Sequence, residues 1–177
     1  MTAALVLTGS PASAQPIELE HYSFSGEDMV EGFCGDITMQ GVFEGSGIFM
    51  VSRHGDGLYY LLDNFRLHES LTNLDNGRTM AIETRFHNKD VTIDEHGDGT
   101  FTIHVHSTGV RQTRGDDGRL FSLNAAAISY DLLVSDGGTP DDPLDDEVIA
   151  EPVITREVGR NDEAGVEFCD TVHELIG

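Results

Sequence analysis

The chain has 177 residues, and its 10 Lys+Arg against 32 Asp+Glu leave a formal net charge of −22 at pH 7. A surface that negative repels phosphate backbones and anionic membranes, which excludes nucleic-acid binding in the absence of a hidden basic patch, and none is visible along the sequence. The length suits one domain with a real core, and nine Phe with four Tyr can fill it.

Ala3–Leu7 is a short apolar run, followed by Gly9-Ser10-Pro11 and then Ala12-Ser13-Ala14. This is the h-region and A-x-A cleavage site of a secretion signal, with the mature chain starting at Gln15. Residues 1–14 therefore read as a signal remnant and 15–177 as a single domain. No basic residue precedes the apolar run, so either the signal is truncated or the segment is not a signal. No stretch approaches 18 apolar residues, so no transmembrane helix is expected. Nine of the ten cations are Arg, with Lys89 the single lysine and none before Arg53. A codon bias toward Arg accounts for this more simply than a salt-rich habitat. So large a charge favours a soluble monomer.

An even pair of cysteines in an exported chain reads as one disulfide, here Cys34–Cys169. It closes a loop of about 135 residues, for which chain entropy gives roughly 5 kcal/mol as an upper figure. The alternative is two buried free thiols. No C-x-x-C or Cys/His spacing points to zinc or thiol redox chemistry.

Strands are expected near 17–24, 37–51, 58–71, 79–93, 100–110, 119–134 and 147–156, each rich in Val, Ile, Thr, Phe and Tyr. Between them stand His54-Gly55-Asp56-Gly57, Leu74-Asp75-Asn76-Gly77, His96-Gly97-Asp98-Gly99 and Gly115-Asp116-Asp117-Gly118. Asn-Gly and Asp-Gly supply the positive φ that tight hairpins need. In 79–93, Met80, Ile82, Thr84 and Phe86 share one parity, opposite Glu83, Arg85, His87 and Lys89. Gly41, Gly45 and Gly47 share parity with Phe43 and Phe49, a small/aromatic alternation that suits a strongly coiled wall. Long strands joined by short turns describe a meander: an all-β fold, a single antiparallel up-and-down β-barrel of seven or eight strands. The good helical pattern, Phe168, Val172 and Leu175/Ile176, lies at the C-terminus, with Asp170 as its expected cap.

Phe33-Cys34-Gly35, Asp63-Asn64-Phe65-Arg66 with Thr72-Asn73, Asp117-Gly118-Arg119 and Phe168-Cys169-Asp170 resemble a family of uncharacterised small secreted actinobacterial proteins. The general build is similar to barrels of the allene oxide cyclase and dirigent type, which hold an apolar ligand inside. That likeness implies architecture and transfers no activity.

On strand 58–71, Asp63 and Glu69 share parity with Leu61, Phe65, Leu67 and Leu71. If that parity faces the lumen, two carboxylates enter an apolar space as candidate acid/base groups. Asn124 and Tyr130 share parity on 119–134 and would line the same space with Phe43, Phe49, Phe65 and Phe86. A bulge, or pairing of the acid by Arg66, is the plainer explanation. The two His-Gly-Asp-Gly turns should lie on one rim with the 135–146 loop, where Asp56, Asp98, Asp141 and Asp142 are candidate calcium ligands. Ordinary hairpin turns and a solvated acidic loop are the plainer explanation, and no EF-hand spacing exists. His104 and His106 face one side of their strand, outward if Ile103 and Val105 face in, with His87 or Glu83 as a third ligand should they bind metal. No nucleophile elbow, phosphate loop or nucleotide motif occurs, so no cofactor is expected. The sequence thus describes a secreted acidic barrel binding a small, partly apolar ligand. The alternatives are a barrel isomerase or cyclase using Asp63 or Glu69, and a structural or interaction module with a packed interior.

Overall fold

The computed structural model describes residues 16–138, 143 and 145–177. The signal remnant expected at residues 1–14 lies outside the described residues. Six long strands follow one another: β1 (Pro16–Phe33), β2 (Ile37–Arg53), β3 (Tyr59–Asn73), β4 (Thr79–Glu95), β5 (Thr100–Arg114) and β6 (Leu120–Ser135). Two short strands, β7 (Glu147–Val148) and β8 (Val153–Asn161), precede helix α1 (Phe168–Ile176). Each strand pairs antiparallel with the next through β7, and β8 also lies against β6, so the meander is as expected. The sheet curls into a half-barrel, with β1 at one end and β7 and β8 at the other.

The turns share one mechanism. In Asp56-Gly57-Leu58, Asn76-Gly77-Arg78, Asp98-Gly99-Thr100 and Asp117-Gly118-Arg119, the Asx oxygen accepts the amide two residues on. The intervening glycine takes φ between 73° and 92° in all four. The Asx bond and the left-handed middle residue close each of these turns together, and glycine enters that region without steric cost.

Three expectations need correction. β1 runs on from 24 to Phe33, because its ladder with β2 continues to Phe33↔Ile37 past an irregularity after Val30. The strand expected at 147–156 is two, separated at Pro152, which has no N–H to give to a ladder. The N-cap position is Glu167, three residues earlier, while Asp170 sits in the first turn beside the positive end of the helix dipole.

Register divides the sheet into two faces. The helix face carries Ile37 and Met39 of β2, Leu71 of β3, and Met80 and Ile82 of β4, all buried with Val172 and Ile176 of α1. The β3–β4 turn holds the helix end: Asn73 Nδ2 and Asn76 Nδ2 both donate to the Ile176 carbonyl, at 2.8 and 2.9 Å. Cys34 and Cys169 are bonded, which ties the start of α1 to the β1–β2 turn.

Further along the helix face, aromatic rings lie over glycines directly across the ladder. Phe24 faces Gly45, Tyr22 faces Gly47, Phe43 faces Gly26 and Phe86 faces Gly109. A methyl group added at any of these four glycines would overlap the facing aromatic side chain. The ring covers backbone that a side chain would otherwise shield, the pairing that rescues glycine in strongly bent strands. Gly45→Val is expected to displace Phe24 and cost on the order of 1–3 kcal/mol. Urea unfolding checks it, and Phe24→Ala combined with Gly45→Val should cost less than the two single changes added together.

Candidate functional site

The candidate residues Asp63, Glu69, Phe43, Phe49, Phe65, Phe86, Asn124 and Tyr130 all fall on the helix face by register. Phe24 stacks on Phe65 with centroids 6.2 Å apart and planes at 15°, and meets Phe43 at the same distance with a tilt of 53°. Helix α1 covers the β4 end of this face around Met80 and Ile82. The aromatic layer remains open: Phe24 is 43% and Phe86 42% exposed, with Phe43, Phe49 and Phe65 half-buried.

Asp63 sits at the edge of this layer, half-buried, and accepts a 2.8 Å hydrogen bond from the Tyr22 hydroxyl. Burial and that bond push the Tyr22 pKa up to about 12. The neighbours expected for Asp63 are elsewhere. Its register row runs through Asn88 and Ser107 to Ile128, so β6 is three strand spacings away, about 14 Å. Asn124 instead donates to Glu163 at 2.7 Å, and Tyr130 lies toward Asp90. Glu69 lies across from Phe43 and Ile82.

The most deeply buried carboxylate on this face is one the sequence reading passed over. Asp90 is 6% exposed, opposite Val105, and accepts the Leu61 amide at 2.8 Å. Burial raises its pKa to about 6, only partly opposed by that hydrogen bond. The signal was present: Asp90 continues the parity of Met80, Ile82, Thr84 and Phe86. Immediately after it a bulge shifts the register, so that Thr92 pairs with His104.

Glu163, in the loop before α1, was also missed. Burial works against its charge, yet hydrogen bonds from Ser122, Asn124 and Thr113, with Arg111 at 3.9 Å, outweigh it and lower its pKa. This pins the loop across β5 and β6.

The rim gathers as expected. Leu58, His96, Gly99, Asp136 and Asp146 line one cavity of ≈ 560 Å³, and Asp136 N–H donates to the Gly99 carbonyl. The two described carboxylates of the calcium expectation, Asp56 and Asp98, are engaged within their own turns. Asp56 is occupied by Leu58 and the Tyr60 hydroxyl, Asp98 by the amide and hydroxyl of Thr100, and these bonds hold both carboxyls below their usual range. Asp141 and Asp142 lie outside the described residues. Among the described residues, no three His, Cys, Asp or Glu side chains are placed to hold a metal ion. His104 and His106 do face away from the helix, but each is engaged: His104 with Asp131 at 2.7 Å and Asp94 at 3.1 Å, His106 with Ser129.

Comparison with protein families, with curated proteins and with solved structures finds no match to this chain. Among the described residues, no helix is long and apolar enough to cross a membrane.

Proposed function

We propose that this is an exported binding protein that carries a small, partly apolar molecule on its aromatic layer. The observation that carries the reading is the layer itself, rings in one register block left open with the Asp63–Tyr22 pair at its edge. Contiguous exposed aromatic surface of this kind is costly in water and marks a binding face. The net charge of −22 sets a second copy of the chain against itself, which favours a small occupant. The disulfide suits an oxidising compartment.

The neutral fluorophore N-phenyl-1-naphthylamine tests this. Saturable enhancement is expected, weakened at least tenfold in Phe24→Ser/Phe86→Ser. Absence of saturation, or an unchanged affinity in the variant, overturns the reading. So does a dimer in sedimentation that excludes the dye, because it assigns the face to a second copy.

A second reading, an isomerase or cyclase, is favoured by Asp90 rather than by Asp63 or Glu69. A buried carboxyl with a pKa near 6 is suited to proton transfer near neutral pH. Asp90→Asn abolishing turnover of a bound substrate while leaving its affinity intact is the result that would support it.

A further inference from the structure

The face turned away from α1 carries a feature absent from the linear sequence. Three consecutive register rows cross the sheet from β1 to β8: Leu19 to Arg156, His21 to Val158, and Ser23 to Arg160. Each row has seven positions, and none of the 21 is Asp or Glu, where the composition of the whole chain would place about four. The rows hold five of the ten cations: Arg66, Arg85, Lys89, Arg156 and Arg160. Acidic residues resume at the borders, with Glu44 and Glu83 in the next row on one side and Asp131 on the other.

At the middle of the band Arg66 and Arg85 are direct cross-strand partners. Like charges placed so are destabilising, at a Cβ separation of about 5 Å. In a chain with 32 carboxylates, neither guanidinium has a hydrogen-bond or ion-pair partner among the described residues. An open depression of ≈ 920 Å³ lies on this spot. Its walls are two of the three rows, with His21, Asn64 and His87 on one side and Ser46, Arg66 and Arg85 on the other. Its floor is the row from Tyr22 to Gly109, whose side chains are turned to the helix face.

We propose that this depression is an anion site, binding a hydroxylated small molecule through a phosphate, sulfate or carboxylate group seated between Arg66 and Arg85. Paired guanidinium forks match oxyanion geometry. The imidazole, amide and hydroxyl groups of the walls supply partners for the rest of the molecule. The absence of Asp and Glu from the rows around Arg66 and Arg85 also leaves this position positive within an acidic surface, although Arg160 at the β8 end is paired with Asp162. The site is on the other side of the sheet from the aromatic layer, and stands or falls separately from it.

Thermal unfolding and titration calorimetry with inorganic phosphate, inorganic sulfate and glucuronate, each against sodium chloride at equal ionic strength, test the proposal. At least one oxyanion is expected to bind saturably and raise the midpoint beyond chloride. Affinity should fall at least tenfold in Arg66→Gln and in Arg85→Gln, and stay unchanged in Arg119→Gln, which is remote from the depression. Which arm responds identifies the oxyanion. Without anion, Arg66→Gln should leave the midpoint unchanged or raise it, since it relieves a like-charge contact. Equal responses to all salts, retained binding in the Arg66→Gln/Arg85→Gln double variant, or a lower unliganded midpoint in Arg66→Gln each overturn the proposal.

Discussion

Cys169→Ser is expected to lower the stability of the protein by roughly 3–5 kcal/mol, the largest effect of any single change considered. The bond links residues 135 apart, and its removal lets the unfolded chain recover the entropy of that loop. The cost falls below the full entropic figure to the extent that α1 stays docked by other means. Val172 and Ile176 are buried against Met80 and Ile82, and Asn73 and Asn76 both hold the Ile176 carbonyl. Urea unfolding of the oxidised protein and of the variant measures this, with a fall of about 1.5–2.5 M in the midpoint for an ordinary slope. An unchanged midpoint would mean that the core contacts alone hold the helix end.

Asp90→Asn should remove a pH dependence. In the folded protein Asp90 titrates near 6, against 3.8 for an unburied Asp. Between those values the folded state holds a proton that the unfolded state has lost. Stability therefore falls as pH rises through this window, by about 3 kcal/mol in total, and levels off above it. Asp56, Asp98, Asp162 and Glu163 have lowered pKa values and act in the opposite sense, losing their contribution as pH falls. The difference between wild type and Asp90→Asn isolates the Asp90 component, because those four groups are common to both. The amide oxygen can still accept from Leu61, so the variant should fold. The wild type is expected to lose stability relative to the variant from pH 4 to pH 6.5. Parallel pH profiles would show that Asp90 is ionised throughout and pair it with a donor that the fold leaves unassigned.

How much of the site was legible depends on whether the information lies within one strand or between strands. The parity that groups Asp63 with Phe65, or Asn124 with Tyr130, is a property of one strand with a side-chain period of two, and it held. The partner of Asp63 is a property of register. Tyr22 reaches it because β1 continues to Phe33 and turns through Gly32 and Gly35, both at positive φ, which places Tyr22 opposite Gly47 and beside the Phe49↔Asp63 pair. A strand read as ending at residue 24 holds no record of that alignment. Asp90 was legible in principle, as the fifth step beyond Met80 in a pattern followed only as far as Phe86. The basic band was not legible at all. Its cations are scattered from Arg66 to Arg160 among acidic residues, and only the stacking of three register rows brings them together.

The sequence by itself determined most of the antiparallel meander, because Asx-Gly turns fix the four hairpins from β2 to β6 locally and alternation fixes which side chains share a face. It also left its two cysteines only each other as intramolecular partners, and the fold bonds them rather than burying them as free thiols. Only the tertiary structure decided that the sheet curls into a half-barrel with its aromatic layer open, and which charges gather on the opposite face. Both depend on how far each strand is displaced along its neighbour. That displacement is set by bulges and by rings packing over glycines across the ladder, which are contacts between residues distant in the chain.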